Sequence, residues 1–300
     1  MKRAFLACAV IGFTNGFVGA FILLRRLALL TDALSHSLLP GIVIGILLFG
    51  LSPLSLFAGA LMSALFVAVG GQVIARSSRI KDETAIGVLY TFAFALGITL
   101  HKASHIQKPL EDYLFGNILG TSNDDLWICL AIGIITVPVL TLLQRPILLS
   151  LFEPDVARTQ GVNPYLMQIL LMVSIVFSMI ASLQAAGVVL AVGLMIGPAA
   201  IVYLYTDSYQ RLLWGSAIVG LVGSVGGLYI SYWTSVPPGA CIVLLISGAF
   251  LASLVLSPRY GWIRSLLHKK HLHEESLARW QSTAPHTEKK AEHDSKPPQT

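Results

Sequence analysis

Residues Arg25–Gly41, RRLALLTDALSHSLLPG, set an aspartate and a histidine inside a stretch otherwise suited to lipid. Asp32 and His36 are four apart, so in a helix both side chains project from one face, close enough to share a ligand. A charged residue at the centre of a membrane helix costs roughly 2.5–3.5 kcal/mol. Two arrangements offset that cost: a mutual Asp–His hydrogen bond lining a wet cavity, or a transiently bound cation. Pro40 and Gly41 follow directly, and the segment reads as a span broken near Pro40. Irregular backbone at membrane depth is tolerated where it lines a cavity or is buried in protein.

The rest of the chain agrees with a membrane setting. Its 300 residues are 55% hydrophobic and only 12% charged, with a mean hydropathy of +0.75. These values lie outside the soluble globular range and inside that of polytopic membrane proteins. Apolar runs fall at about 4–24, 33–50, 54–74, 84–100, 126–143, 165–183, 187–205, 212–230 and 239–256. The fold class is therefore an all-α polytopic membrane protein of about nine transmembrane helices, eight or nine depending on how 165–205 divides. The first run follows Met-Lys-Arg but is longer than a secretory h-region and precedes many more runs, so it reads as a retained span. Cys8, Cys129 and Cys241 all sit in apolar runs without metal spacing, which fits small packing residues. Glycines cluster at 187, 193 and 197 and at 220, 223, 226 and 227, a signal for close helix approach.

Charge sets the expected orientation. The loops after runs one, three, five and seven carry Arg25, Arg26, Arg76, Arg79, Lys81, Arg145, Arg158 and Arg211, and the tail adds eight basic residues between Arg259 and Lys296. The other side has Lys2, Arg3, Lys102 and Lys108. The positive-inside rule then predicts an outside N-terminus and a cytoplasmic C-terminus, and accounts for the net charge of +5 without nucleic acid.

Two loops are long. The outer one, 101–125, carries His101, His105, Glu111, Asp112, Asp124 and Asp125, and reads first as a solvated loop with an acidic excess that attracts cations. The inner one, 144–164, reads QRPILLSLFEPDVARTQGVNP: Pro154 after Glu153, then a short run ending at Gly161, are the start and stop signals of a brief helix too polar to span. Among intramembrane polar residues, Asn15, Gln72 and Gln184 are placed near span ends. Residues 1–258 form the transmembrane domain, 259–280 a short interfacial helix with Trp262, Ile263, Leu266 and Leu267 on one face, and 281–300 a disordered polar tail. His268, His271 and His273, within 259–280, read as solvated in preference to metal-binding.

At this point the sequence resembles a known family. LRRLALLTDALSHSLLPG at Leu24–Gly41 is similar to the signature of the membrane permease of bacterial zinc, manganese and iron ABC transporters, in which Gly-Asp-Ala-x-Ser-His-Ala-x-x-Pro-Gly follows the first span. DETAIGVLYTFAFALGI at 82–98, DYLFGNILG at 112–120, FEPDVARTQGVNP at 152–164 and LQAAGVVLAVGLMIGPAAIVYL at 183–204 agree in order. The resemblance covers about residues 4–256, and this chain departs from the signature with Thr31 for Gly and Ser37 for Ala.

The resemblance implies a permease of the bacterial cytoplasmic (inner) membrane that imports a divalent transition metal. It implies a second permease subunit, two cytoplasmic ATPase subunits and an extracytoplasmic metal-binding protein as partners. Asp32 and His36 would line the metal path, and Phe152, Glu153, Pro154, Asp155, Val156, Ala157, Arg158 and Gly161 would form the coupling helix against the ATPase. No cofactor is held permanently; the metal is cargo. The residues agree in one respect: the chain contains no GxxxxGK[ST], so energy comes from another subunit or a gradient, and the protein is not itself an enzyme. Carboxylate oxygen with imidazole nitrogen suits Zn, Mn or Fe better than Cu(I), and two protein ligands fit a pore that must also release its ion. A gradient-driven carrier, with Asp32 as a proton or sodium site, and an ABC permease for metal chelates are the competing readings.

Overall fold

The computed structural model describes residues 2–25, 27–50, 52–104 and 118–257, and the regular structure among them is helical. In chain order the helices are α1 (Lys2–Leu24), α2 (Ala28–Phe49), α3 (Pro53–Ser77), α4 (Asp82–Ala103), a 3-10 turn (Ile118–Gly120), α5 (Asn123–Leu142), α6 (Gln144–Phe152), α7 (Pro154–Thr159), α8 (Pro164–Ala186), α9 (Val188–Tyr203), α10 (Tyr209–Thr234) and α11 (Pro238–Leu256). Eight are long and apolar enough to cross a membrane: α1 to α5, α8, α10 and α11. The ninth apolar run becomes α9, whose 16 residues reach only about 24 Å. That falls short of the roughly 30 Å of a hydrocarbon core. It starts abruptly because Gly187 takes φ +83°, a left-handed conformation that ends α8 and turns the chain.

By contacts between residues the chain divides into Met1–Ala252, which holds the bundle, and Ser253–Thr300, of which only 253–257 are described. The interfacial helix expected at 259–280, the disordered tail expected at 281–300, and His105, Glu111 and Asp112 of the outer loop lie outside the described residues.

Helix α1 is the axis of the bundle. Phe17, Val18, Ala20 and Phe21 are all fully buried, and a helix apolar on every side belongs inside. It packs against α10, α9, α5 and α8. At the α1–α10 crossing the backbones touch: a Cβ on Gly16 would overlap the Ser216 carbonyl, and one on Gly220 would overlap that of Gly12. Ser224 closes the crossing by donating to the Cys8 carbonyl at 2.8 Å. The glycine clusters thus serve close packing. Gly193, Gly197, Gly223 and Gly227 likewise receive Val243, Ile246 and Ile242 of α11.

Helices α2, α3 and α4 pack on one another as a second group. Gly41 and Gly45 of α2 meet Gly59 of α3, and Ser63 donates to the Ser37 carbonyl at 2.6 Å. Both α3 and α5 begin at capping boxes, Ser52 with Ser55 and Ser122 with Asp125, where each side chain accepts the other residue's backbone N–H. Two outer-loop acids are therefore helix-start residues: Asp124 and Asp125 occupy the first turn of α5, where negative charge complements the helix dipole.

The structure corrects two expectations. Helix α2 is not broken at Pro40 but continues through it from Ala28 to Phe49. The ring is accommodated because α4 presents Gly97 there, where a Cβ would lie 2.8 Å from Pro40 N and 2.9 Å from its Cδ. Asn15 is not near a span end but midway along α1, fully buried. It donates to Ser182 Oγ at 2.6 Å and accepts from Ser178 Oγ at 2.7 Å, so the partners that α8 supplies meet its polar needs.

Candidate metal site

Asp32 lies in the second turn of α2, about 6 Å along the helix from its start, not at its centre. The helix buries Thr31, Leu34, Ser35, Leu38, Pro40 and Ile42. Asp32 and His36, one turn apart near its start, keep exposed surface, and Ile44 and Leu48 are exposed separately toward its other end. The Asp32 side chain is 63% exposed and that of His36 34%.

His36 Nε2 faces Asp32 Oδ1 at 3.8 Å. That is too long for a hydrogen bond, so the mutual Asp–His bond weighed from sequence is not made. It is short enough for one ion to reach both, since metal–oxygen and metal–nitrogen bonds of about 2.0–2.2 Å together span about 4.2 Å. The imidazole is held from α4, where Phe94 meets it edge to face at 5.1 Å between centroids. Its Nδ1 is buried without a hydrogen-bond partner among the described residues. The ring therefore directs Nε2 outward and leaves Nδ1 against apolar surroundings. Phe94 had no signal in the sequence, lying 58 residues from His36 in an ordinary apolar run.

Backbone groups around the pair are loosened. Ser35 and Ser37 hydroxyls donate to the Asp32 and Leu34 carbonyls at 2.6 and 2.7 Å, and Pro40 lacks the N–H that would bond the His36 carbonyl. Among the described residues no third His, Cys, Asp or Glu joins the pair.

The brief helix expected between the fifth and sixth runs is present as α7. Pro154 stands at its first position, Ala157 is fully buried, and Phe152 and Val156 are 61% and 41% exposed. Its end is a Schellman motif: Val162 N–H bonds the Ala157 carbonyl at 2.9 Å, Gly161 N–H bonds Arg158 at 3.1 Å, and Gly161 takes φ +77°. Asn163 then caps α8, accepting from Tyr165 N–H at 3.1 Å, with Pro164 at the first helical position. Glu153, Asp155 and Arg158 are exposed, and Arg158 contacts Asp155 at 3.4 Å. The structure thus brings Asp32 and His36 together on one face and groups 152–161 separately as one compact turn of helix.

Fold and site define a polytopic helical membrane protein with a carboxylate and an imidazole facing each other on one span and an exposed short helix between two others. The chain belongs to the ABC 3 transport family, whose sequence profile matches residues 1–257. It is 36% identical over 277 residues to the manganese transport system membrane protein MntC of Halalkalibacterium halodurans, covering 92% of this chain and 94% of that protein. It is 34% identical to the manganese import system permease protein ScaB of Streptococcus parasanguinis, over 86% of this chain and 91% of that one. In structure it is similar to the solved PsaBC from Streptococcus pneumoniae in complex with Fab, with a TM-score of 0.76 at 32% identity, covering 88% of this chain and 94% of that chain.

Proposed function

We propose that the chain is the membrane-spanning permease subunit of an ABC importer for a divalent transition metal, manganese first, and that Asp32 and His36 carry the ion through. The observation that carries this reading is the 3.8 Å pair on the open face of α2, in a chain whose relatives MntC and ScaB are named for manganese transport. A carboxylate oxygen suits manganese, and the imidazole extends the site to iron and zinc. His36 Nδ1 lacks the outer-shell acceptor that strengthens a metal-bound histidine, which weakens such ligands about 10–100-fold. Weak binding is what a conducting site needs, because the ion must leave as readily as it enters.

Asp32 is 63% exposed at the end of the second span, where its carboxylate is open to the membrane–water interface. A second permease subunit facing α2 encloses it in a shared path. The ATPase subunits sit against α7, a helix of only six residues on which Val156 exposes apolar surface beside Phe152 at the end of α6. That face is cytoplasmic, by the distribution of Lys and Arg, in a bacterial inner membrane with the N-terminus outside and a metal-binding protein delivering the ion there.

The experiment that separates an ABC permease from a gradient-driven carrier uses proteoliposomes holding the permease, its ATPase and its binding protein. Radiolabelled manganese uptake is expected with ATP on the ATPase side and not with an imposed proton or sodium gradient alone. Val156→Cys is expected to cross-link to the ATPase. Gradient-driven uptake without ATP would overturn the reading.

A further inference from the structure

A cavity of about 690 Å³, within the range of small-ligand sites, opens where the end of α3 meets α6, α7 and the start of α8. Gln72, Arg76, Ser150, Arg158, Asn163 and Tyr165 are among its lining residues. Gln72 is 3% exposed, and neither polar atom of its amide has a hydrogen-bond partner among the described residues. A buried amide of this kind calls for a ligand able to meet both its donor and its acceptor. Arg76 lies over the Tyr165 ring at 4.5 Å, which holds its planar fork in place at the cavity. Arg158 supplies a second guanidinium, and the N-terminus of the 23-residue α8 adds its positive end. Asp155, the acid that contacts Arg158, is itself almost fully exposed.

We propose that this cavity binds the phosphoglycerol headgroup of an anionic phospholipid from the adjoining leaflet, its phosphate accepting from the Gln72 N–H and its hydroxyl donating to the Gln72 Oε1. Two arginines and a helix N-terminus at one cavity favour an anion, and a guanidinium fork suits the oxygens of a phosphate. Lipid is favoured over a soluble anion by depth and by the neighbouring surface. Gln72 lies five residues inside the end of the α3 span, about 7.5 Å along the helix. Val73 and Ile74 beside it are 48% and 38% exposed, an apolar wall on which acyl chains lie while the headgroup reaches the arginines. Arg and Tyr are also the residue types that anchor at a membrane–water interface, and basic pockets between spans take lipid headgroups on the cytoplasmic side. That assignment of side rests on the orientation given above.

The test uses the purified permease–ATPase complex, delipidated and titrated with phosphatidylglycerol or phosphatidylcholine, with bound lipid counted by native mass spectrometry. Phosphatidylglycerol is expected to be retained preferentially. Arg76→Gln is expected to lower its affinity on the order of tenfold, the loss of one charge-assisted contact to phosphate. Gln72→Leu, which fills the same space without hydrogen bonding, is expected to lower it several-fold while leaving the melting temperature at or above that of the parent. Equal retention of the two lipids, or an Arg76→Gln complex that binds phosphatidylglycerol unchanged, would overturn the proposal. Displacement by inorganic phosphate would assign the site to a free anion instead. Arg76→Gln that loses its ATPase but keeps its lipid would assign the cavity to an ATPase carboxylate, also against the proposal. Labelling of Val156→Cys by an impermeant reagent from outside whole cells would refute the orientation while leaving lipid retention untouched, so the two failures are distinct.

Discussion

Asn15 shows how this bundle carries a polar side chain at its centre. Its amide bonds Ser182 and Ser178 across the α1–α8 contact, and Ser182 in turn donates to the Ser178 carbonyl at 2.7 Å. Hydrogen bonds between membrane helices average about 0.6 kcal/mol each and reach about 1.7. Asn15→Leu, which removes both bonds, is therefore expected to lower stability by roughly 1–2 kcal/mol, read by denaturant titration in detergent. Unchanged stability would show that the pair is spectator to packing. This network was not legible from sequence, because Asn15 lies more than 160 residues from Ser178 and Ser182, and each serine alone is an ordinary member of an apolar run. Asp32 and His36 were legible for the opposite reason. Both are ionisable residues where lipid-compatible ones are expected, and their spacing of four fixes a shared face without help from the rest of the fold. What the sequence could not supply is the ring of Phe94 that orients His36 from α4.

At the level of the helices, apolar length was the readable quantity, and the interruptions were not. Eight runs became spanning helices because about 20 apolar residues demand a membrane whatever the remaining chain does. Pro40 was misread as a break because its tolerance is decided on another helix: Gly97 of α4 leaves room for the ring. Gly97→Leu should push α4 off α2 at that level and cost about 1–3 kcal/mol, with manganese uptake falling as His36 loses its support from Phe94; a melting curve in detergent and an uptake assay on the same variant check both. In α7 the reading from Pro154 and Gly161 succeeded because helix start and stop signals are local. Gly161 holds a φ of +77° that an L side chain adopts only at a cost of about 1–2 kcal/mol. Gly161→Ala is accordingly expected to fray the Schellman turn and weaken ATPase association, measured as co-purified ATPase per permease. Wild-type recovery would show that α7 is not held by its own C-terminus.

For the whole molecule, the proposed pairing of two permeases rests on which helices are covered and which are open. Helix α1 is largely covered by α5, α8, α9 and α10, whereas α2 exposes Asp32 near its start and Ile44 and Leu48 toward its end. The proposed partner permease would cover the carboxylate and imidazole. In the proposed division of labour this chain offers ligands and a docking helix, and a partner subunit hydrolyses ATP. The tail beyond 258 lies outside the described residues, so the metal path is argued from the bundle alone. The central claim is that the Asp32–His36 pair passes the ion. It is tested most directly by ATP-driven uptake of radiolabelled manganese into proteoliposomes containing the permease, ATPase and binding protein, comparing wild type with Asp32→Ala and His36→Ala at matched assembly. The account predicts that both variants lose uptake while still binding the ATPase; uptake near the wild-type rate in both would contradict it.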